Sequence, residues 1–163
     1  MEAKTTMKMP AVLVVVALLI GLCVIVSPQS AFADDGSGAG VAPTSTADSA
    51  FDFNMSSDAT NGTSGRSKAN YTSAYVHIQG KTNNCRLYID GGSSSTGAWI
   101  NKTVNGYANA TRTGKFRIMN YVKEHNYNYA RLTSWANSGK CHIWGVWSPD
   151  SSSAAQTYPT INA

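Results

Sequence analysis

The 163-residue chain has little of what metal sites are built from. Only 13% of its residues are charged, and it contains three histidines and three cysteines. His77, His125 and His142 are too far apart to form an i, i+2 or i, i+4 ligand pair, and no Cys-x-x-Cys occurs. Such spacings are the usual signature of zinc. The sequence therefore predicts neither a metal site nor a cofactor.

Acidic residues, which hydrolases need, are equally scarce. Beyond residue 50 they are Asp52, Asp58, Asp90, Glu124 and Asp150. No serine lies in a nucleophile elbow, and no carboxylate pair is identifiable as the two facing groups of a glycosidase. We predict no catalytic residue and a protein that is not an enzyme. A small extracellular hydrolase is the alternative that two converging carboxylates would support.

Two of these acids, Asp90 and Asp150, are predicted to lie in turns. Asp90 precedes Gly91-Gly92, and Asp150 follows Pro149. Aspartate side chains in turns bond to nearby backbone N–H groups, and we expect that role for both in preference to calcium binding.

Long apolar runs are missing except at the start. Ala11–Val26 spans 16 residues, Lys4 and Lys8 precede it, and Ala31-Phe32-Ala33 follows as a small-x-small site. The run is shorter than the ~20 residues that cross a bilayer, and the three parts together are typical of a secretory signal peptide. We expect cleavage after Ala33, an extracellular protein and no transmembrane span.

Removal of residues 1–33 would leave two cysteines, Cys85 and Cys141, 56 positions apart. In an oxidising compartment such a pair predicts a structural disulfide. Closing a loop of this length removes denatured-state entropy worth about 4 kcal/mol.

The chain is long enough for one domain. Residues 34–50 have almost nothing to bury and are predicted to be a flexible leader, and residues 151–163 a flexible C-terminal tail. Residues 51–150 are predicted to hold one hydrophobic core.

Apolar and polar residues alternate along several short segments, as in half-buried strands. Cys85 shares a face with Leu87 and Ile89, and Cys141 shares one with Ile143. Both sulfurs are therefore expected to point inward, as a bridge between packed sheets requires. The sequence predicts an all-β, disulfide-linked antiparallel β-sandwich of about six to eight strands, with a small barrel as the alternative.

The strongest local signal is Asn105-Gly106. This dipeptide tolerates positive φ at both central positions of a tight turn. It predicts a hairpin between strands at 98–104 and 107–112.

Aromatic side chains give the best functional hypothesis. Alternation places five aromatic residues on outward strand positions: Tyr75, Tyr88, Tyr127, Tyr129 and Trp144. His77, Arg86 and Arg131 occupy outward positions as well. An amphipathic ring suits stacking on a sugar, so we predict these five as ligand-binding residues. The alternative is that tyrosine merely suits a half-covered pleated surface.

Charge favours an anionic partner. From Phe51 onward eleven Lys or Arg face five Asp or Glu, a net charge of +6. Such a balance attracts anionic cell-wall polymers or glycans, although solubility alone also accounts for it. The basic residues are scattered and not arranged in a stripe, so we expect no nucleic acid.

The C-terminal half contains Asn120-Tyr121-Val122-x-Glu124-x-x-Tyr127-x-Tyr129-Ala130-x-Leu132 and Gly145-x-Trp147-Ser148-Pro149-Asp150-Ser151. With these motifs the chain resembles an uncharacterised group of small exported proteins of Gram-positive bacteria, over roughly Phe51 to Ser151. The resemblance implies a secreted bacterial protein and supplies no activity or ligand.

The sequence thus predicts a secreted, non-enzymatic module that binds cell-envelope or host glycans. A secreted bacteriocin-like antagonist of other cells is the first alternative, since size, export and basic charge suit both.

Overall fold

The computed structural model describes residues 44–137 and 139–162, so the predicted signal peptide and the start of the predicted leader lie outside the described residues. The described part is a two-sheet antiparallel β protein. Its strands are β1 (Ser49–Met55), β2 (Thr60–Gly62), β3 (Arg66–Ser67), β4 (Ala74–Lys81), β5 (Cys85–Gly92), β6 (Ile100–Asn101), β7 (Ala108–Ala110), β8 (Gly114–Ile118), β9 (Tyr129–Trp135) and β10 (Cys141–Ser148).

The first sheet has the order β1-β10-β4-β8. The second has the order β2-β9-β5-β6, with β3 also paired to β9 and β7 also paired to β5. None of the helical segments described in the structure has the length and apolar character that a membrane-spanning helix requires.

The core lies between the two sheets and follows the alternation of the sequence. In β5, Cys85, Leu87 and Ile89 are buried while Arg86 and Tyr88 are half-buried on the other side. The same alternation holds in most of the first sheet, whose inward side chains include four aromatic rings: Phe51, Phe53, Phe116 and Trp147. The predicted sandwich is confirmed.

The disulfide joins the sheets, as predicted. Cys85 at the start of β5 bonds to Cys141 at the start of β10, with 6.6 Å between their Cα atoms. Because both residues begin their strands, the covalent link holds the sheets together at one end of the sandwich.

The Asn105-Gly106 turn forms, but the predicted hairpin around it is wrong. Both residues have positive φ, 61° and 87°, as a tight turn of this kind requires. The flanking segments, however, pair with β5 and not with each other. Because β7 pairs with β5, Ala108 and Ala110 of β7 lie in the core, and both are buried.

A buried ion pair closes the other end of the sandwich. Lys68 and Asp150 lie 2.7 Å apart, and both side chains are completely inaccessible. The Lys68 ammonium also donates to the carbonyls of Thr72 at 2.6 Å and Pro149 at 2.8 Å, so each of its three N–H groups has an acceptor. Burial lowers the pKa of Lys68, and the Asp150 charge acts against that shift.

Asp150 therefore does more than bond to its own turn, which corrects the prediction. Its Oδ2 accepts from the distant backbone N–H of Ala69 at 2.8 Å, and its Oδ1 accepts from the Thr72 hydroxyl at 3.0 Å. The carboxylate thereby links the end of β10 to the crossover from β3 to β4, some 80 residues earlier in the chain.

The C-terminal residues are placed against the first sheet, which corrects the prediction of a flexible tail. The backbone of Arg117 in β8 bonds to Pro159 and Ile161, at 2.9 Å each. Its guanidinium donates to the carbonyl of Tyr158 at 2.8 Å and to Gln156 Oε1 at 2.9 Å. The segment thus covers the outer edge of β8, an edge that would otherwise present unpaired backbone groups.

Part of the predicted leader is also built into the domain. A short 3-10 turn spans Thr44–Thr46, Ser45 is buried, and β1 begins at Ser49. The Ser45 carbonyl accepts from the backbone N–H of Asp150 at 3.3 Å, so this segment packs against the buried ion pair.

Replacing Lys68 by Met should lower the free energy of unfolding by about 3–5 kcal/mol, because the Asp150 carboxylate would stay buried without its cation. Urea unfolding measures the loss. Lys140→Met, at an exposed lysine, is the matched control and should change stability by less than about 0.5 kcal/mol. Equal stability of the two variants would contradict this role of the pair.

Replacing Arg117 by Ala should release the C-terminal segment, because its side chain holds three groups of that segment. We expect faster thermolysin cleavage before Ile161, detected by mass spectrometry, and a stability loss of about 1–2 kcal/mol. Lys140→Ala removes the same charge elsewhere and should leave the cleavage rate at the wild-type value. An unchanged rate in Arg117→Ala would show that the segment is held by other contacts.

Candidate functional site

The outer side of the second sheet carries a concentration of aromatic and charged side chains, here called the aromatic face. It is formed by Arg86, Tyr88 and Asp90 of β5, Tyr129, Arg131, Thr133 and Trp135 of β9, and Trp99 and Tyr107 from the neighbouring loops. Strand register sets their positions, because Arg86 lies opposite Trp135, Tyr88 opposite Thr133 and Asp90 opposite Arg131.

Arg86 is held between two aromatic rings. Its guanidinium carbon lies 4.2 Å from the ring centroid of Tyr107 and 5.1 Å from that of Trp135. Such cation–π contacts hold a long side chain in one position before any ligand binds. Binding to Arg86 would therefore cost less side-chain entropy than binding to a free arginine. Arg86 is thus a positioned cation, and among the described residues it forms no ion pair with a carboxylate.

A second arginine, Arg131, is ion-paired. Its Nε lies 3.0 Å from Asp90 Oδ2, which also accepts from the Thr133 hydroxyl at 2.7 Å. The Arg131 guanidinium lies 5.0 Å from the ring centroid of Trp99. The Asp90 side chain is only 11% exposed, and its carboxylate holds the side chains of Arg131 and Thr133 in place. Asp90 therefore lies in β5 and bonds to side chains of β9, which corrects its prediction as a turn residue.

The face contains a depression of about 240 Å³. It is lined by Thr60, Tyr88, Asp90, Asn101, Arg131, Thr133 and Trp135. The lining combines two aromatic rings with hydroxyl, amide and charged groups. That combination offers flat apolar surface for a ring and several hydrogen-bonding groups around it.

Tyr88 is one of the two aromatic residues that line this depression. Burial raises the pKa of Tyr88 above its ordinary value, while the charge and hydrogen bond of Arg86 act in the opposite direction. A neutral phenol can both donate and accept a hydrogen bond.

The five predicted aromatic residues do not form a single surface. Tyr88 and Tyr129 belong to the aromatic face. Tyr75 and Trp144 lie in the first sheet, where Tyr75 is only 9% exposed and the Tyr158 ring lies 5.9 Å away. Burial and the Asp48 charge raise the pKa of Tyr75. Tyr127 precedes β9, packs partly against the core and has the Lys102 ammonium 5.1 Å from its ring.

Three aromatic residues of the face were not identified from sequence. Trp135 could have been, because it continues the alternation of Tyr129 and Arg131 along β9. Trp99 and Tyr107 lie outside the strands, and nothing in the local sequence indicates that their rings reach this face. Two glycines supply the space for Trp99, since a Cβ at Gly65 or Gly92 would collide with its ring.

Across the described residues, no three His, Cys, Asp or Glu side chains come together in a way that could hold a metal ion. The other acids of this part of the chain include Asp52, whose Oδ1 lies 2.7 Å from His142 Nε2 on the first sheet. Of the residues that line the depression, Asp90 is the acidic one.

Fold and site together define a disulfide-bonded, two-sheet β protein with an aromatic, arginine-bearing outer face. The chain belongs to the DUF2712 family, a family described as being of unknown function, whose model matches residues 38–151. No curated protein and no solved structure matches the chain. The family membership agrees with the resemblance to an uncharacterised group.

Replacing Gly92 by Ala should displace Trp99 from the aromatic face, because the new Cβ would lie 2.9 Å from the indole ring. We expect a red-shifted and more easily quenched tryptophan emission, with a stability loss of about 1–3 kcal/mol from overpacking. Gly97→Ala is the control, since its Cβ would meet only the Ser94 side chain. Wild-type emission in Gly92→Ala would contradict this packing of Trp99.

Proposed function

We propose that the protein is an exported, non-enzymatic binding module that holds a glycan on the aromatic face. The observation that carries the proposal is the depression in which Tyr88 and Trp135 flank positioned polar groups. Sugar rings present apolar C–H faces and a rim of hydroxyls. A tyrosine and a tryptophan beside Asn101, Arg131 and Thr133 supply the matching stacking surface and hydrogen-bonding groups.

The favoured ligand is an anionic glycan or cell-wall polymer. Arg86 supports this choice, because it is fixed between two rings and lacks a carboxylate partner among the described residues. A net charge of +6 from Phe51 onward adds long-range attraction for such a polymer.

Binding without catalysis is supported by the lining of the depression. A glycosidase needs two facing carboxyl groups. Asp90 is the acidic residue among those that line the depression, and it accepts hydrogen bonds from Arg131 and Thr133.

Export from a Gram-positive bacterium is part of the same proposal. It is supported by the charged start, apolar run and Ala31-Phe32-Ala33 site of the first 33 residues. The Cys85–Cys141 disulfide is also compatible with an oxidising compartment.

Co-sedimentation of residues 34–163 with isolated Gram-positive cell walls over a salt series tests the proposal. The protein should pellet at low salt, and any stacking contribution should persist at high salt, where charge attraction is screened. Trp135→Ala and Tyr88→Ala should each weaken binding by roughly thirtyfold, because truncating an aromatic anchor costs about 2 kcal/mol.

Trp144→Ala is the matched control, since it removes a half-buried tryptophan from the first sheet. It should bind like the wild type, and circular dichroism should show that all three variants are folded. No pelleting at low salt would contradict envelope binding, and a growth-inhibition assay on competing cells would then be the next measurement. Equal binding by Trp135→Ala and Trp144→Ala would contradict the aromatic face as the site.

A further inference from the structure

The two arginines of the aromatic face do not offer the same charge to a ligand. Arg131 lines the depression, but its Nε lies 3.0 Å from Asp90 Oδ2. Asp90 lines the depression as well, and these two are its charged lining residues. Because opposite charges in contact largely cancel at the distance of a third group, the depression presents polar groups with no net charge.

Arg86 lies at the margin of the depression and keeps its charge. It precedes Tyr88 by two residues in β5, which separates their Cα atoms by about 7 Å, and it lies opposite Trp135 of β9. Both of these aromatic residues line the depression, and Arg86 does not. Among the described residues Arg86 forms no ion pair. A net positive charge thus lies directly beside an uncharged depression.

The ion pair also limits how a ligand can use Arg131. The Arg131 side chain is 31% exposed, so a ligand in the depression can contact it. An anionic group placed there would approach the Asp90 carboxylate, and like charges brought together at an interface cost binding energy. Arg131 is therefore suited to the hydroxyl groups of a sugar, which accept a hydrogen bond without carrying a charge.

We propose that the aromatic face takes one anionic group, at Arg86, and that Asp90 sets this limit by neutralising Arg131. The depression then holds an uncharged ring, and a carboxylate or phosphodiester beside that ring binds the Arg86 guanidinium, whose fork of N–H groups matches two oxygens of either. This inference rests on the proposed glycan binding and defines the ligand more closely. The ligand class is a glycan in which single negative charges alternate with uncharged rings.

The salt dependence of binding measures the anionic contact at Arg86. For a nucleic acid polyanion, the logarithm of the affinity falls linearly with that of the salt concentration, by a slope of roughly 0.7–0.9 per neutralised charge. In co-sedimentation of residues 34–163 with isolated cell walls, Arg86→Gln should reduce the slope by about one such contact. Lys140→Gln removes an exposed positive charge elsewhere and should keep the wild-type slope.

A polymer charged on every ring tests Asp90. Polygalacturonate carries a carboxylate on each ring, so it should bind the wild type weakly. Asp90→Asn should bind it about tenfold more tightly, because the freed Arg131 gains a charge-assisted contact. The asparagine oxygen can still accept from Arg131 and Thr133, and circular dichroism should show a folded variant. Asp52→Asn, which removes an exposed carboxylate of the first sheet, is the matched control and should show no gain.

The double variant Asp90→Asn, Arg131→Gln removes both charges of the pair and should bind polygalacturonate as the wild type does. This variant also decides the question if Asp90→Asn alone does not fold. An affinity below that of the wild type would show that Arg131 already holds an anionic group, which would overturn the role of Asp90.

Selective treatment of the walls identifies the anionic group. Hydrofluoric acid removes phosphodiester-linked polymers, and carbodiimide with an amine blocks carboxylates. The treatment that erases the difference between the wild type and Arg86→Gln names the group. A wild-type slope in Arg86→Gln, or no gain in Asp90→Asn, would overturn this inference and leave glycan binding in place. No pelleting at low salt would overturn the proposed function and this inference with it.

Discussion

The buried ammonium of Lys68 is the constraint on which much of this fold depends. A charge removed from water is tolerated only with a counter-charge and a full set of hydrogen bonds. Asp150 and two backbone carbonyls supply these, at distances from 2.6 to 2.8 Å. Satisfying the ammonium fixes the crossover from β3 to β4 against the end of β10. Close to this crossover, Arg66 of β3 donates to the Trp147 carbonyl of β10 at 3.3 Å.

Local patterns predicted the architecture, because each strand carries its own alternation. Cys85 and Cys141 were expected to face inward from their neighbours alone, and the disulfide confirms this. Contacts between distant residues were not predictable in the same way. Nothing around Lys68 indicates burial, because its partner lies 82 positions later. The few apolar residues of the C-terminal segment predict a flexible tail, whereas backbone bonds to Arg117 hold the segment in place.

The candidate site was predictable to the extent that it follows strand alternation. Tyr88, Arg86 and Arg131 were assigned outward positions, and they lie on the aromatic face. Alternation identifies a side of a strand but not which sheet the strand joins, so Tyr75 and Trp144 were grouped with residues of the other sheet. Trp99 and Tyr107 reach the face from loops, whose paths depend on packing against Gly65, Gly92 and Arg86.

The position of β10 in the first sheet has a consequence for the order of events in synthesis. β10 is the last strand along the described chain, yet it lies between β1 and β4. The disulfide and the ion pair also each need one residue from position 141 onward. Nascent chain up to residue 140 therefore has no means of closing this sheet, and so many long-range pairings slow folding further. Closure of the first sheet, the disulfide and the ion pair therefore all depend on one late segment, so a chain cut before residue 141 loses all three at once.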